Sequence, residues 1–172
     1  MKYFNGFSLK NEEACFSNYI DSNHNAVVGF SYGAQQAFEY VYTTQSRVDR
    51  LILLSPAFFQ TQKPSFIRTQ LRYFEAGQEA YVKQFLENIA YPSSLSLDTY
   101  LNIGTKEALE ALLSYIWDED KIKEVLSRGT TIEVFIGDKD KIVDSKESIA
   151  FFKNLSTLYT IKDAGHLLEQ QK

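Results

Sequence analysis

Ser31 lies between two glycines in the motif GFSYG, residues 29–33. The apolar residues 26–28 precede the motif and apolar residues at helical spacing follow it, which predicts a sharp turn from a strand into a helix. At such a turn, called a nucleophile elbow, only small residues two positions either side of the serine let strand and helix pass. We therefore expect Ser31 to be a strained nucleophile whose side-chain oxygen is exposed.

A serine of this kind needs a base to accept its proton, and the base needs an acid that orients it. The sequence contains two histidines. His166 follows the last predicted strand, at the strand ends where α/β sites lie, whereas His24 precedes the elbow strand, at its opposite end. The predicted base is therefore His166.

Four aspartates are candidates for the acid: Asp138, Asp140, Asp144 and Asp163. Asp144 is explained as the cap of a helix, and Asp163 is too close in sequence to His166 to reach across to it. Asp140 lies in the loop after the preceding strand and is the predicted acid. Asp138, in the same loop, is the alternative.

Strands and helices alternate along the chain, which is typical of an α/β fold. Strands are predicted at 2–4, before the elbow, and at 50–55, 131–136 and 157–161. From 57 to 117 only helical periodicity appears, interrupted by proline and glycine, which predicts an inserted helical region. We expect a single domain of residues 1–172 that contains this insertion at 57–117.

A helix is also predicted after Asn11, whose side chain can cap it. Glu12 and Glu13 fall in its first turn, where negative charge is favourable. Its apolar stripe consists of Cys15, Phe16, Tyr19 and Ile20. This pattern assigns Cys15 to the core.

The composition limits the classes of partner and compartment. At 172 residues and 44% hydrophobic content, the chain can bury one core, and its net charge of −4 argues against a nucleic-acid or anionic-membrane surface. A single cysteine cannot form an internal disulfide, and neither a signal peptide nor a membrane-spanning apolar run is apparent. We expect a cytoplasmic protein. Without cysteine pairs or histidine clusters, the sequence implies no cofactor and no metal.

The motifs together resemble those of α/β-hydrolases: Asn-Gly-Phe at 5–7, the elbow, the loop at 137–143 and the Ala-Gly-His that ends at 166. That family has two further strands before this point, at one edge of its sheet. The resemblance thus implies a truncated α/β-hydrolase with a parallel sheet of about five flanked strands and a helical lid after the third. It also implies an oxyanion hole formed by the backbone N–H groups of Phe7 and Tyr32, and Asn5 in place of the usual histidine is compatible with backbone donors.

A narrower resemblance starts at Lys63-Pro64 and includes Phe85 and the acid loop. These residues resemble the pimelyl-acyl carrier protein methyl ester esterases of biotin synthesis, and the opening residues are most similar to the compact variant called BioV. The resemblance implies hydrolysis of the methyl ester of pimeloyl-acyl carrier protein with release of methanol. Phe7, Tyr32 and Phe85 would then contact the substrate, Phe85 as the aromatic residue of the lid.

An acyl carrier protein is strongly acidic, so a net acidic enzyme would need a local basic patch to bind it. Arg68 and Arg72 are spaced i, i+4 on a predicted lid helix, and Lys83 is a third candidate. The paired arginines of the family fall here at Ala80 and Gln84. Ordinary solvated surface charge is therefore the alternative interpretation.

Two other functions fit parts of the sequence. One is a general short-chain carboxylesterase or thioesterase that uses the same three residues on free small molecules. The other is a non-catalytic binding module with the same fold, against which the complete set of serine, histidine and aspartate argues.

Overall fold

A computed structural model describes residues 1–20 and 24–171 of the chain. Within these residues, five strands form one parallel sheet in the order β1-β2-β3-β4-β5. The strands are β1 (Lys2–Phe4), β2 (Ala26–Phe30), β3 (Arg50–Leu54), β4 (Thr131–Gly137) and β5 (Thr157–Ile161). The predicted parallel α/β sheet of about five strands is confirmed.

Six α-helices accompany this sheet in the described part of the chain. They are α1 (Tyr32–Thr43), α2 (Pro64–Ala76), α3 (Gln78–Ala90), α4 (Lys106–Ser114), α5 (Glu119–Ser127) and α6 (Ser145–Phe152). Helices α2, α3 and α4 lie between β3 and β4, inside the segment predicted as an insertion. Over residues 1–20 and 24–171, no helix has the length and apolar character needed to cross a membrane.

Alternate strand residues pack into two hydrophobic clusters, one on each face of the sheet. Val27, Leu51 and Leu53 pack with α1, α5 and α6. Val28 and Ile52 face the opposite way and pack with α2, α3 and α4. Consecutive strands are neighbours in the sheet, and right-handed crossovers between such strands place their helices on the same face. The opposite face must therefore be covered by other parts of the chain. The helical insertion provides much of that cover.

The helix predicted after Asn11 is much shorter than its apolar stripe suggested. Only a five-residue 3₁₀-helix forms, at Glu12–Phe16, and Tyr19 and Ile20 lie beyond it. Asn11 has a left-handed backbone with φ 56°, and its side chain makes no capping hydrogen bond. The predicted cap is therefore wrong. Asn11 belongs to the preceding loop instead, where its backbone N–H donates to Asn5 Oδ1 at 2.9 Å.

Close backbone packing surrounds the elbow between β2 and α1. A Cβ atom on Gly29 would lie 2.2 Å from the carbonyl oxygen of Gly33, and one on Gly33 would lie 2.1 Å from that of Phe4. No side chain fits at either position, so the expected need for small residues beside Ser31 is confirmed. The same packing holds the end of β1 against the start of α1.

We predict that Gly29→Ala destabilises the fold by about 3 kcal/mol or more, because the added methyl group collides with backbone that cannot rotate away. Gly77→Ala is the matched control, since a Cβ there meets only the Cβ of Ala80, at 3.9 Å. Urea unfolding followed by circular dichroism measures both changes. An unchanged urea midpoint for Gly29→Ala would contradict the packing described for the elbow.

Candidate active site

Ser31 occupies the single residue between the end of β2 and the start of α1. Its backbone has φ 55° and ψ −114°, a strained conformation for a residue with a side chain. Hydrogen bonds to the neighbouring strand hold it there: Ser31 N–H donates to Leu54 O at 2.9 Å, and Ser31 O accepts from Ala57 N–H at 3.1 Å. The end of β3 thus fixes the elbow from one side.

His166 contacts two side chains that follow different strands, Ser31 after β2 and Asp140 after β4. Its Nε2 lies 2.8 Å from Ser31 Oγ, and its Nδ1 lies 2.6 Å from Asp140 Oδ2. A carboxylate only accepts hydrogen bonds, so Nδ1 carries the proton and the Nε2 lone pair faces the serine hydroxyl. In this arrangement the imidazole can accept the hydroxyl proton of Ser31.

The two aspartates of the acid loop have different partners. Asp140 accepts the N–H groups of Ile142 and Val143 on Oδ1, at 2.7 and 3.1 Å, which leaves Oδ2 for His166. Asp138 is exposed, and its Oδ1 accepts the N–H of Asp163 at 2.7 Å. The structure therefore places Asp140 against the histidine, whereas Asp138 fastens the loop that carries His166.

The expectation that the Ser31 oxygen is exposed is wrong. Ser31 is only 2% exposed and His166 is 0% exposed. The adjacent Phe30 belongs to the same hydrophobic cluster as the insertion helices, and its ring lies 5.1 Å from that of His166. The elbow is covered because the insertion packs on this face of the sheet.

Two backbone N–H groups beside the elbow have no hydrogen-bond partner among the described residues, those of Phe7 and Tyr32. Tyr32 is the first residue of α1, where an amide has no partner within the helix. The loop of Phe7 starts against the same helix, since a Cβ on Gly33 would lie 2.5 Å from Asn5 O. Both amides thus retain an unused hydrogen-bond donor.

The three aromatic residues predicted to contact a substrate line two cavities. Phe85 lines a cavity of about 340 Å³ between the insertion helices and the loop after Asp140. Its ring meets that of Phe7 edge-on at 5.7 Å. Phe7 and Tyr32 line a second cavity of about 260 Å³. Volumes near 300 Å³ are at the small end of those that hold small-molecule ligands.

The predicted basic residues are exposed on the insertion. Arg68 and Arg72 lie on α2 and have no ion-pair partner among residues 1–20 and 24–171. Lys83, on α3, lines a groove of about 580 Å³. The other charged residues that line this groove are Glu79, Glu87 and Asp98. Lys83 therefore lies in acidic surroundings.

One residue of the site was not identified from the sequence, Glu12. Its sequence position indicated only a favourable charge in the first turn of a helix, but the structure buries it completely, with Oε1 accepting the N–H of Gly6 at 2.6 Å. A usable signal was present: Glu12 occupies position i of the stripe at i+3, i+4 and i+7 formed by Cys15, Phe16 and Tyr19. It therefore lies on the apolar face.

Three solved structures illustrate the fold that this chain shares. Carboxylesterase CesB (YbfK) from Bacillus subtilis is 18% identical with a TM-score of 0.57, over 83% of this chain and 53% of that chain. Naproxen esterase (carboxylesterase NP) from the same species is 16% identical with a TM-score of 0.56, over the same shares. MenH from S. aureus is 13% identical with a TM-score of 0.57, over 95% of this chain and 85% of that chain.

The chain spans about half the length of the two Bacillus esterases. At these identities the likeness concerns the fold alone. A comparison with curated protein sequences finds no match. A family model described as the alpha/beta hydrolase fold matches residues 18–168, which include the elbow, the acid loop and His166. The chain therefore belongs to the α/β-hydrolase family.

Proposed function

We propose that this protein is a serine carboxyl-ester hydrolase. The observation that carries the proposal is the continuous hydrogen-bonded chain from Ser31 Oγ through His166 to Asp140, with links of 2.8 and 2.6 Å. This is the arrangement that converts a serine hydroxyl into a nucleophile, whatever the order of the residues in the chain.

In the proposed reaction, Ser31 Oγ attacks the ester carbonyl while His166 Nε2 accepts its proton, and Asp140 stabilises the resulting imidazolium. The N–H groups of Phe7 and Tyr32 bind the oxyanion of the tetrahedral intermediate. His166 then gives the proton to the leaving alcohol, and an acyl-enzyme remains. Water, deprotonated by His166 Nε2, then attacks the acyl carbonyl. The bond from the acyl carbon to Ser31 Oγ breaks, His166 returns the proton to Oγ, and the carboxylic acid is released.

For the substrate we propose the methyl ester of pimeloyl-acyl carrier protein, with methanol as the alcohol released. The support is the resemblance of the sequence to the esterases of biotin synthesis and an aromatic cavity, lined by Phe85, that borders the loop after Asp140. Because Ser31 and His166 are buried, the substrate reaches them only after part of the covering insertion moves.

A second candidate is a carboxylesterase or thioesterase that acts on free small molecules. It is favoured by the acidic groove around Lys83 and by the net charge of −4, both of which repel an acidic carrier protein. Of the three basic residues predicted to bind the carrier protein, Arg68 and Arg72 would then supply the attraction.

The first prediction separates the two aspartates. Asp140→Asn lowers kcat for p-nitrophenyl butyrate by at least about a thousandfold, because His166 loses its orienting partner. Ser31→Ala causes a loss of the same size, because it removes the nucleophile. Asp138→Asn, the matched control in the same loop, stays within about tenfold of the wild type. A larger loss in Asp138→Asn than in Asp140→Asn would transfer the role of the acid.

The second prediction concerns the carrier protein. Reversing the charge of Arg68 and Arg72 together lowers kcat/KM on the carrier-bound methyl ester at low salt, but not on p-nitrophenyl butyrate. The loss shrinks at moderate salt, because exposed charges act over about 10 Å at 0.1 M.

The matched control for this pair reverses Lys146 and Lys153, two exposed lysines of the α6 region on the other side of the fold. Equal losses in both double variants would indicate net charge rather than a patch. Equal losses on both substrates in the arginine variant would indicate packing of the insertion.

A further inference from the structure

Glu12 is a buried carboxyl group that contacts the loop of Phe7. Its Oε1 accepts the N–H of Gly6 at 2.6 Å and the hydroxyl of Tyr3 at 3.3 Å. Its Oε2 is buried and has no partner among the described residues. A short hydrogen bond to a buried carboxylate is one of the stronger polar contacts in a protein, so the Gly6 amide is firmly held.

That amide lies directly before the proposed oxyanion donor. With the N–H of Gly6 turned toward Glu12, the next N–H, that of Phe7, is left without a partner in the described part of the chain. Fixing one peptide plane limits the direction of the next, because only two backbone dihedrals separate them. Glu12 therefore bears directly on where the Phe7 N–H points.

Other hydrogen bonds also hold this loop. Gly6 O, in the same peptide plane as the Phe7 N–H, accepts from Leu9 N–H at 3.2 Å, so this turn fixes one end of the plane while Glu12 fixes the peptide before it. Ser8 O accepts from Asn102 N–H at 2.9 Å, and Ser8 Oγ accepts from Gly104 N–H at 3.0 Å. The bonds of Ser8 join the loop to the insertion, whereas the N–H of Gly6 is held by Glu12. In the described residues, Glu12 is the only side chain that accepts the Gly6 N–H.

The surroundings of Glu12 do not favour its charge. Among residues 1–20 and 24–171, the titratable groups that act on Glu12 are Tyr3, Glu13, Cys15 and Tyr100, and none of these is a cation. Burial is the main cause that raises the pKa of the Glu12 carboxyl. Holding a carboxyl group in such surroundings costs folding free energy, and its bonds to Gly6 N–H and Tyr3 O–H offset part of that cost. This points to a role beyond stability.

We propose that Glu12 is a positioning residue that orients the Phe7 N–H toward the oxyanion. The proposal rests on the ester hydrolysis proposed above. The length of the side chain at position 12 decides the effect. A side chain long enough to accept the Gly6 N–H at the same distance preserves the orientation of the Phe7 N–H, and a shorter side chain does not.

The test compares three substitutions of Glu12 on p-nitrophenyl butyrate. Glu12→Gln keeps the reach and removes the charge, and stays within about tenfold of the wild-type kcat. Glu12→Asp keeps the charge but is one methylene too short, and Glu12→Ala removes the acceptor. Both lower kcat about a hundredfold with little change in KM, which is the size of effect seen when one oxyanion donor is lost. Glu13→Ala, exposed on the same 3₁₀-helix, is the matched control and leaves kcat unchanged.

Inhibitor affinity supplies a readout that a structural role would not change. A trifluoromethyl alkyl ketone forms a tetrahedral oxyanion adduct with a serine, whereas its methyl ketone counterpart resembles the ground state. Glu12→Asp and Glu12→Ala should lose affinity for the trifluoromethyl ketone in step with kcat and keep affinity for the methyl ketone.

Unchanged trifluoromethyl ketone affinity in a folded Glu12→Asp variant would overturn the proposal. So would a Glu12→Gln variant that loses as much as Glu12→Asp, because the charge rather than the reach would then matter. If Glu12→Ala does not fold, the Asp and Gln variants still decide the question. If the wild type neither hydrolyses the ester nor binds the trifluoromethyl ketone, the failure is that of the hydrolase function itself.

Discussion

The hydrogen bond between His166 Nε2 and Ser31 Oγ joins two residues that are 135 positions apart in the chain. It forms because β2 and β5 run parallel in one sheet, so that the segments after them emerge at the same edge. The strained backbone of Ser31 aims its oxygen at that edge, and contacts with β3 keep it there. This one contact therefore depends on the parallel sheet, on Gly29 and Gly33, and on the bonds of Ser31 to Leu54 and Ala57.

Burial is the second constraint on the site. Placing Ser31, His166 and Asp140 out of water strengthens every hydrogen bond among them, but it also buries Glu12 beside the loop of Phe7. Since burial raises the pKa of Glu12, the folded state binds its proton more tightly than the unfolded state does. Stability from this group is therefore present below the ordinary carboxyl pKa and is lost as the pH rises through the raised value. Above that raised value the ionised side chain lowers the free energy of unfolding.

Local patterns were sufficient to predict the strands of the sheet and the central residues, but not the extent of the helix after Asn11. The elbow, the strand before it and the position of His166 after the last strand follow from short motifs that can be read locally. Asp140 was the predicted acid with Asp138 as the alternative, but no local pattern decides between them, because both lie in one loop. The tertiary partners decide: Asp138 accepts the N–H of Asp163, whereas Asp140 contacts His166.

The burial of Ser31 depends on contacts made far from it in sequence. Exposure at an elbow is decided by what covers it, here an insertion whose packing no local pattern encodes. The division of the chain at 57 and 117, the carrier protein and the identity of the ester remain predictions, since they depend on surfaces and partners rather than on the sheet.

The central claim is that Ser31 is an activated nucleophile, and covalent labelling tests it most directly. The wild-type protein is treated with a fluorophosphonate at neutral pH and its intact mass and peptides are measured. We predict one adduct per chain, on Ser31, and a much slower rate of labelling in His166→Ala than in the wild type. An unmodified wild-type protein, or an equal rate of labelling in His166→Ala, would contradict it.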